Sequence, residues 1–143
     1  MPIVNTVAKA IAKPIPRMFS PKAHAILDYL NVACFLVGAA VFWRRSKSAA
    51  LGSLICGTTQ LAINLVTDYP GRMAKAISFG KHGEIDLGLA AMTATMPEFM
   101  GVKSGSEKEF FIAEGALITI AEELTRRFPK LEANKMGAAR RPA

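Results

Sequence analysis

The sequence is short of the residues from which most recognisable functional signatures are built. Of 143 residues only two are cysteine, Cys34 and Cys56, and two are histidine, His24 and His82. Both cysteines fall inside apolar runs, where a thiol acts as a small hydrophobe. Their spacing excludes a cysteine zinc site, and they identify no redox compartment. There is no glycine-rich phosphate loop, no nucleophile elbow around a serine and no HExxH helix, which removes the commonest nucleotide, acyl-transfer and zinc-hydrolase readings. Acidic residues are few as well, 11 against 18 lysines and arginines, for a net charge of +7. Such an excess suits either nucleic acid or an anionic membrane surface. Here the basic residues flank apolar segments and do not interleave with aromatics on one face, which argues against nucleic acid as a partner.

Hydrophobic length is what the chain has in abundance. Apolar residues make up 51% of a chain whose 143 residues suit a single domain. Residues 24–43, HAILDYLNVACFLVGAAVFW, form the longest run, and Ser20-Pro21 before it reads as an N-cap followed by proline in the first turn. A helix from there to Trp43 has about 23 residues, enough at about 1.5 Å each to cross ~30 Å of hydrocarbon. After the polar turn RRSKS at 44–48, a second apolar segment carries Gly52, Gly57, Thr58, Thr59 and Gln60, small and hydrogen-bonding residues that let membrane helices approach. Asp68-Tyr69-Pro70-Gly71 ends it, with Tyr69 placed for the interfacial aromatic belt. The third segment has Pro97 near its far end, where a kink or early stop is expected. Glu114, Glu122 and Glu123 interrupt the fourth, so it spans only with glutamates turned into the bundle or snorkelling. The predicted spans lie near 23–43, 49–67, 82–102 and 108–126.

The chain also repeats itself. His24 and Asp28 recur as His82 and Asp86, an offset of 58 that also relates Ser20 to Ser78, Ala33 to Ala91, Gly57 to Gly115 and Thr67 to Thr125. This predicts an all-α fold, a four-transmembrane-helix bundle built from two parallel two-helix repeats at about 21–69 and 79–128 within a domain of 21–127. Residues 1–20 add a short N-terminal amphipathic helix. Ile3, Val4, Val7, Ala8 and Ile11 recur at helical spacing with Lys9, Lys13 and Arg17 elsewhere, and Pro14 and Pro16 break it. Neither a secretory signal nor a transit peptide fits this segment. Residues 128–143 form a basic, flexible tail. With four spans, 13 basic residues fall on one side and 5 on the other, which puts both termini in the cytoplasm. Both repeats then enter from the same side, and the axis relating them stands along the membrane normal.

His24 and Asp28 are one helical turn apart, as are His82 and Asp86, so each pair shares a helix face. All four are expected at one depth near the cytoplasmic boundary, with Asp68 and Glu122 approaching that level as a secondary cluster. An ionisable group inside a span is a functional candidate by default, since placing it in lipid costs at least a few kcal/mol. Two imidazoles and two carboxylates suit Zn, Mn or Fe, and they equally suit a proton relay. A third reading is structural, in which the four groups bond across helices and fix how the repeats pack. Asp68-Tyr69 reads as a helix stop and Glu114 as a polar contact to the second helix.

The His-x-x-x-Asp start of each odd-numbered helix, the TDYP end of the second and the MPEFMGV end of the third resemble the bacterial SPW-repeat membrane proteins. The likeness covers residues 21–102; Pro97 stands where the family proline would, Met96 and Glu98 replace its serine and tryptophan, and the first repeat has Gly38-Ala39-Ala40 without proline. The resemblance implies a small integral membrane protein of poorly defined activity; with the topology and the polar cluster above, the expectation is a protein of the bacterial inner membrane, structural or accessory in role. Its expected partners are the lipid bilayer, a second copy of the chain or another membrane protein. Two alternatives stand beside it: a metal-binding membrane enzyme or a proton or metal carrier using His24, Asp28, His82 and Asp86, and a soluble four-helix bundle, which the charged fourth segment would suit.

Overall fold

The computed structural model describes residues 19–70 and 75–125. The expected N-terminal amphipathic helix, apart from Phe19 and Ser20, and the basic tail lie outside the described residues.

Four helices make up the fold: α1 (Pro21–Phe42), α2 (Lys47–Val66), α3 (Phe79–Phe99) and α4 (Ser106–Thr125). Local chemistry sets their ends. The hydroxyls of Ser20, Ser46 and Ser78 accept from the backbone N–H of Ala23, Ala49 and Lys81 at 3.2, 3.2 and 3.4 Å, each satisfying one of the donors a helix start leaves open. The cap at Ser78 starts α3 three residues ahead of the expected 82. Pro97 does not kink α3 midway. The helix stops two residues later at Phe99, and Gly101, at φ +68°, turns the chain so that the Val102 N–H reaches the Pro97 carbonyl at 2.8 Å. Among the described residues there is no strand, only an isolated bridge between Thr67 and Ile77.

The offset of 58 survives in three dimensions. The helices that carry the two His/Asp pairs begin at Pro21 and Phe79 behind equivalent serine caps. Packing is most extensive within each pair, α1 on α2 and α3 on α4, and each pair closes over an equivalent glycine. A Cβ on Gly57 would meet Phe35 Cβ at 2.8 Å, and one on Gly115 would meet the Ala90 carbonyl at 2.9 Å. Phe35, Phe42, Cys56, Met96, Phe111 and Ile118 fill the shared core.

Beside its apolar core the interior carries many polar groups. The interior holds Ser53, Gln60, Asn64, Thr93, Glu114 and Glu122 besides the His/Asp residues, whereas Ile26, Val37, Val41, Ile55, Leu65, Leu117 and Ile120 are exposed. Glutamates 114 and 122 of α4 do turn inward. Of the four helices, α1 and α2 are long and apolar enough to cross a membrane.

Candidate metal centre

The two i, i+4 pairs, in the first turns of α1 and α3, face one another across the junction of the repeats. His24, His82 and Asp86 are completely buried and Asp28 is 4% exposed. Four contacts close an alternating ring: His24 Nε2 lies 3.3 Å from Asp28 Oδ2 and 3.2 Å from Asp86 Oδ2, and His82 Nε2 lies 3.1 Å from Asp28 Oδ2 and 3.2 Å from Asp86 Oδ2. The four ligand atoms all fall within 4.8 Å of one another, close enough to hold a metal ion. Phe79, in the first turn of α3, stacks on the His82 ring and meets the His24 ring edge-on, which limits how either imidazole can turn.

The other nitrogen of each ring is held by the opposite repeat. His24 Nδ1 lies 2.9 Å from Thr125 Oγ1, and His82 Nδ1 lies 2.9 Å from Thr67 Oγ1. Each threonine hydroxyl has one hydrogen, which it donates to the carbonyl four residues back, Ala121 from Thr125 and Ile63 from Thr67, at 2.7 Å in both cases. Toward histidine the hydroxyl oxygen is therefore an acceptor, and Nδ1 must carry the proton. In the neutral ring that leaves Nε2 with its lone pair aimed into the ring of carboxylate oxygens.

Tyr69, between α2 and α3, is 2% exposed and donates its hydroxyl to Asp28 Oδ2, with its oxygen 2.8 Å from His82 Nε2. Burial first, and the Asp28 carboxylate second, hold the phenol well above its usual range, so it remains a donor. Beyond this one O–H, which meets Asp28 and His82 only, the ring brings together two carboxylate oxygens and two imidazole Nε2 atoms. Such a set is stable only with positive charge at its centre, from a cation or from protons on both Nε2 atoms.

Separation is compatible with both. A tetrahedral ion with nitrogen and oxygen ligands at about 2.0–2.1 Å sets neighbouring ligands about 3.3 Å apart. A charge-assisted N–H···O bond brings its heavy atoms to about 2.7–2.9 Å. The four contacts, at 3.1–3.3 Å, come near the first spacing, and the two that cross between the repeats also lie within ordinary hydrogen-bond length.

Sequence reasoning brought His24, Asp28, His82 and Asp86 together, and so does the fold. The secondary pair lies apart from the ring. Asp68 is turned outward, its carboxylate 3.3 Å from Lys75 Nζ, because the chain leaves α2 one residue earlier at Thr67. Glu122 is buried, its carboxylate against Gly83, where any Cβ would collide with it. Tyr69, expected as an interfacial aromatic beyond a helix stop, is buried and enters the site. Thr67 and Thr125 carried a signal in their offset of 58 that did not disclose a role. Glu114 lines a cavity beside Gln60 and Cys34, and its Oε2 has no hydrogen-bond partner.

No protein-family model, curated protein or solved structure matches the chain.

Proposed function

We propose that this chain is a small integral membrane protein whose two repeats are clamped by one divalent transition-metal ion shared among His24, Asp28, His82 and Asp86. The observation that carries the reading is the fixed tautomer: two threonines hold the Nδ1 protons, so both Nε2 lone pairs converge on two carboxylate oxygens at 3.1–3.3 Å. A divalent ion offsets the two carboxylates and leaves a neutral centre, which matters most where water is excluded. Mixed imidazole and carboxylate donors suit zinc first and manganese or iron next. Four buried protein ligands are the pattern of a structural site, which retains the structural or accessory role.

The burial of polar groups beside exposed apolar ones supports four membrane spans over a soluble bundle. On α4, Ile112, Leu117 and Ile120 are exposed while Glu114 and Glu122 are buried, the reverse of what water selects. The basic asymmetry, 13 against 5, supports cytoplasmic termini in an inner membrane. Reciprocal bonds from each histidine to the opposite repeat support a two-fold relation along the membrane normal. The same architecture is what kinship with SPW-repeat proteins implies, and a third helix ending just after Pro97 agrees with it.

Cobalt(II) tests the centre. Titrated into chelator-stripped, detergent-purified protein, it should saturate at one ion per chain with the intense visible d–d bands of a tetrahedral site, and a His24→Ala, His82→Ala protein should give none. A wild-type protein that develops no bands, or a double variant that develops the same ones, overturns the reading.

A further inference from the structure

A second site lies next to the first. Between α1 and α4 lies a partly open cavity of about 260 Å³ that Asp28 also lines. Leu30, Leu117 and Ile120 form its mouth, each more than half exposed, while Gln60 and Glu114 in its lining are 1% and 6% exposed. Asn31 Nδ2 donates to Gln60 Oε1 at 2.9 Å, and this leaves Gln60 Nε2 and Glu114 Oε2 with no hydrogen-bond partner. Buried polar atoms in that state are costly and rare, more so in a bundle surrounded by hydrocarbon.

The repeat supplies a control. At the offset of 58, Asn31 corresponds to Leu89, Cys34 to Met92, Gln60 to Ile118 and Cys56 to Glu114. At the equivalent interface between α2 and α3 these positions are apolar: Leu89, Ile118 and Cys56 are 5%, 5% and 2% exposed, and Met92 packs on the core. The corresponding positions of one repeat interface are apolar, and the other holds open space lined by an unpartnered amide nitrogen and an unpartnered carboxyl oxygen. An acyl tail would fill the space and leave both unpaired, whereas a hydroxyl both accepts and donates. The volume falls just short of the ~300 Å³ where small-molecule pockets begin, so it suits the polar end of a longer molecule.

We infer that this cavity binds the hydroxyl end of a lipid alcohol, which enters from the membrane between α1 and α4 and hydrogen-bonds to Gln60 and Glu114. The site rests on the membrane location proposed above but not on the metal, and binding is to be measured on both metal-loaded and chelator-stripped protein, so that either proposal can fail alone. The probes are tritiated hexadecan-1-ol and tritiated hexadecane, bound to the full chain in nanodiscs. The alcohol should bind saturably, one per chain, about tenfold more tightly than the alkane, the discrimination one well-made hydrogen bond supplies. Gln60→Leu should lower the alcohol to the level of the alkane, and Ala121→Trp, which fills the cavity, should abolish both. Non-saturable binding, equal binding of alcohol and alkane, or alcohol binding that survives Gln60→Leu overturns the inference. Should Gln60→Leu fail to fold, the alcohol-to-alkane ratio of the unaltered protein decides alone.

Discussion

Thr67 and Thr125 decide the chemistry of the centre without touching its ring of four atoms. Each sits at the end of the second helix of its repeat, bonds its own helix through its hydrogen and takes the proton of the other repeat's histidine on its oxygen. Losing that acceptor leaves a buried N–H unpaired and frees the ring to change tautomer. Thr67→Val and Thr125→Val should each weaken metal binding by about 10- to 100-fold, read by competition with a chelator of known affinity, while the serine variants keep most of it. The four ring residues were legible in the sequence because i, i+4 spacing alone puts a histidine and an aspartate on one face, and the repeat supplies the second pair. Tyr69 was not. Its place depends on the path between α2 and α3, a tertiary matter, and an aromatic before proline carries the same local signature as an interfacial anchor.

Helix contacts depend on a few small residues. A Cβ added to Gly115 would lie 2.9 Å from the Ala90 carbonyl oxygen and 3.2 Å from the Ala94 nitrogen, and one added to Gly57 would lie 2.8 Å from Phe35 Cβ; neither neighbour can rotate away. Gly115→Ala and Gly57→Ala should each destabilise by about 1–3 kcal/mol, the usual cost of overpacking. Gly88→Ala, with open space around its added methyl, should be neutral or slightly stabilising through helix propensity. Thermal unfolding in detergent orders the three. Element boundaries followed from the sequence where a cap was visible, as at Ser20-Pro21. The start of α3 was set three residues late because Ser78, Phe79 and Gly80 carry no long apolar run, even though Ser78 repeats Ser20. The fourth helix was the hardest to read from hydropathy, since its glutamates count as charge wherever they point, and only the fold shows Glu114 and Glu122 inside.

For the whole molecule, the repeat and the burial of polar groups set the account. Gln60, Asn64, Glu114 and Glu122 lie inside the bundle, and α1, α2 and α4 expose isoleucine, leucine or valine, the pattern on which the proposed membrane location rests. Reporter fusions active only in the periplasm should stay silent at both termini and report in the loop after Phe42 and the loop after Phe99. Activity at either terminus would refute the topology. The cavity between α1 and α4 was not legible in the sequence, because Asn31, Gln60 and Glu114 lie far apart in the chain and single amides in apolar helices read as helix contacts.

The central claim is that the junction of the repeats is a metal centre and not a cluster of protonated pairs, and metal content addresses it most directly. Protein purified in detergent without added metal and analysed by inductively coupled plasma mass spectrometry should carry close to one zinc, manganese or iron per chain. The His24→Ala, His82→Ala protein, prepared alongside, should carry almost none. A folded wild-type protein that is metal-free and takes up no metal on dialysis against zinc would contradict the account and leave the ring of His24, Asp28, His82 and Asp86 a hydrogen-bonded, proton-bearing junction.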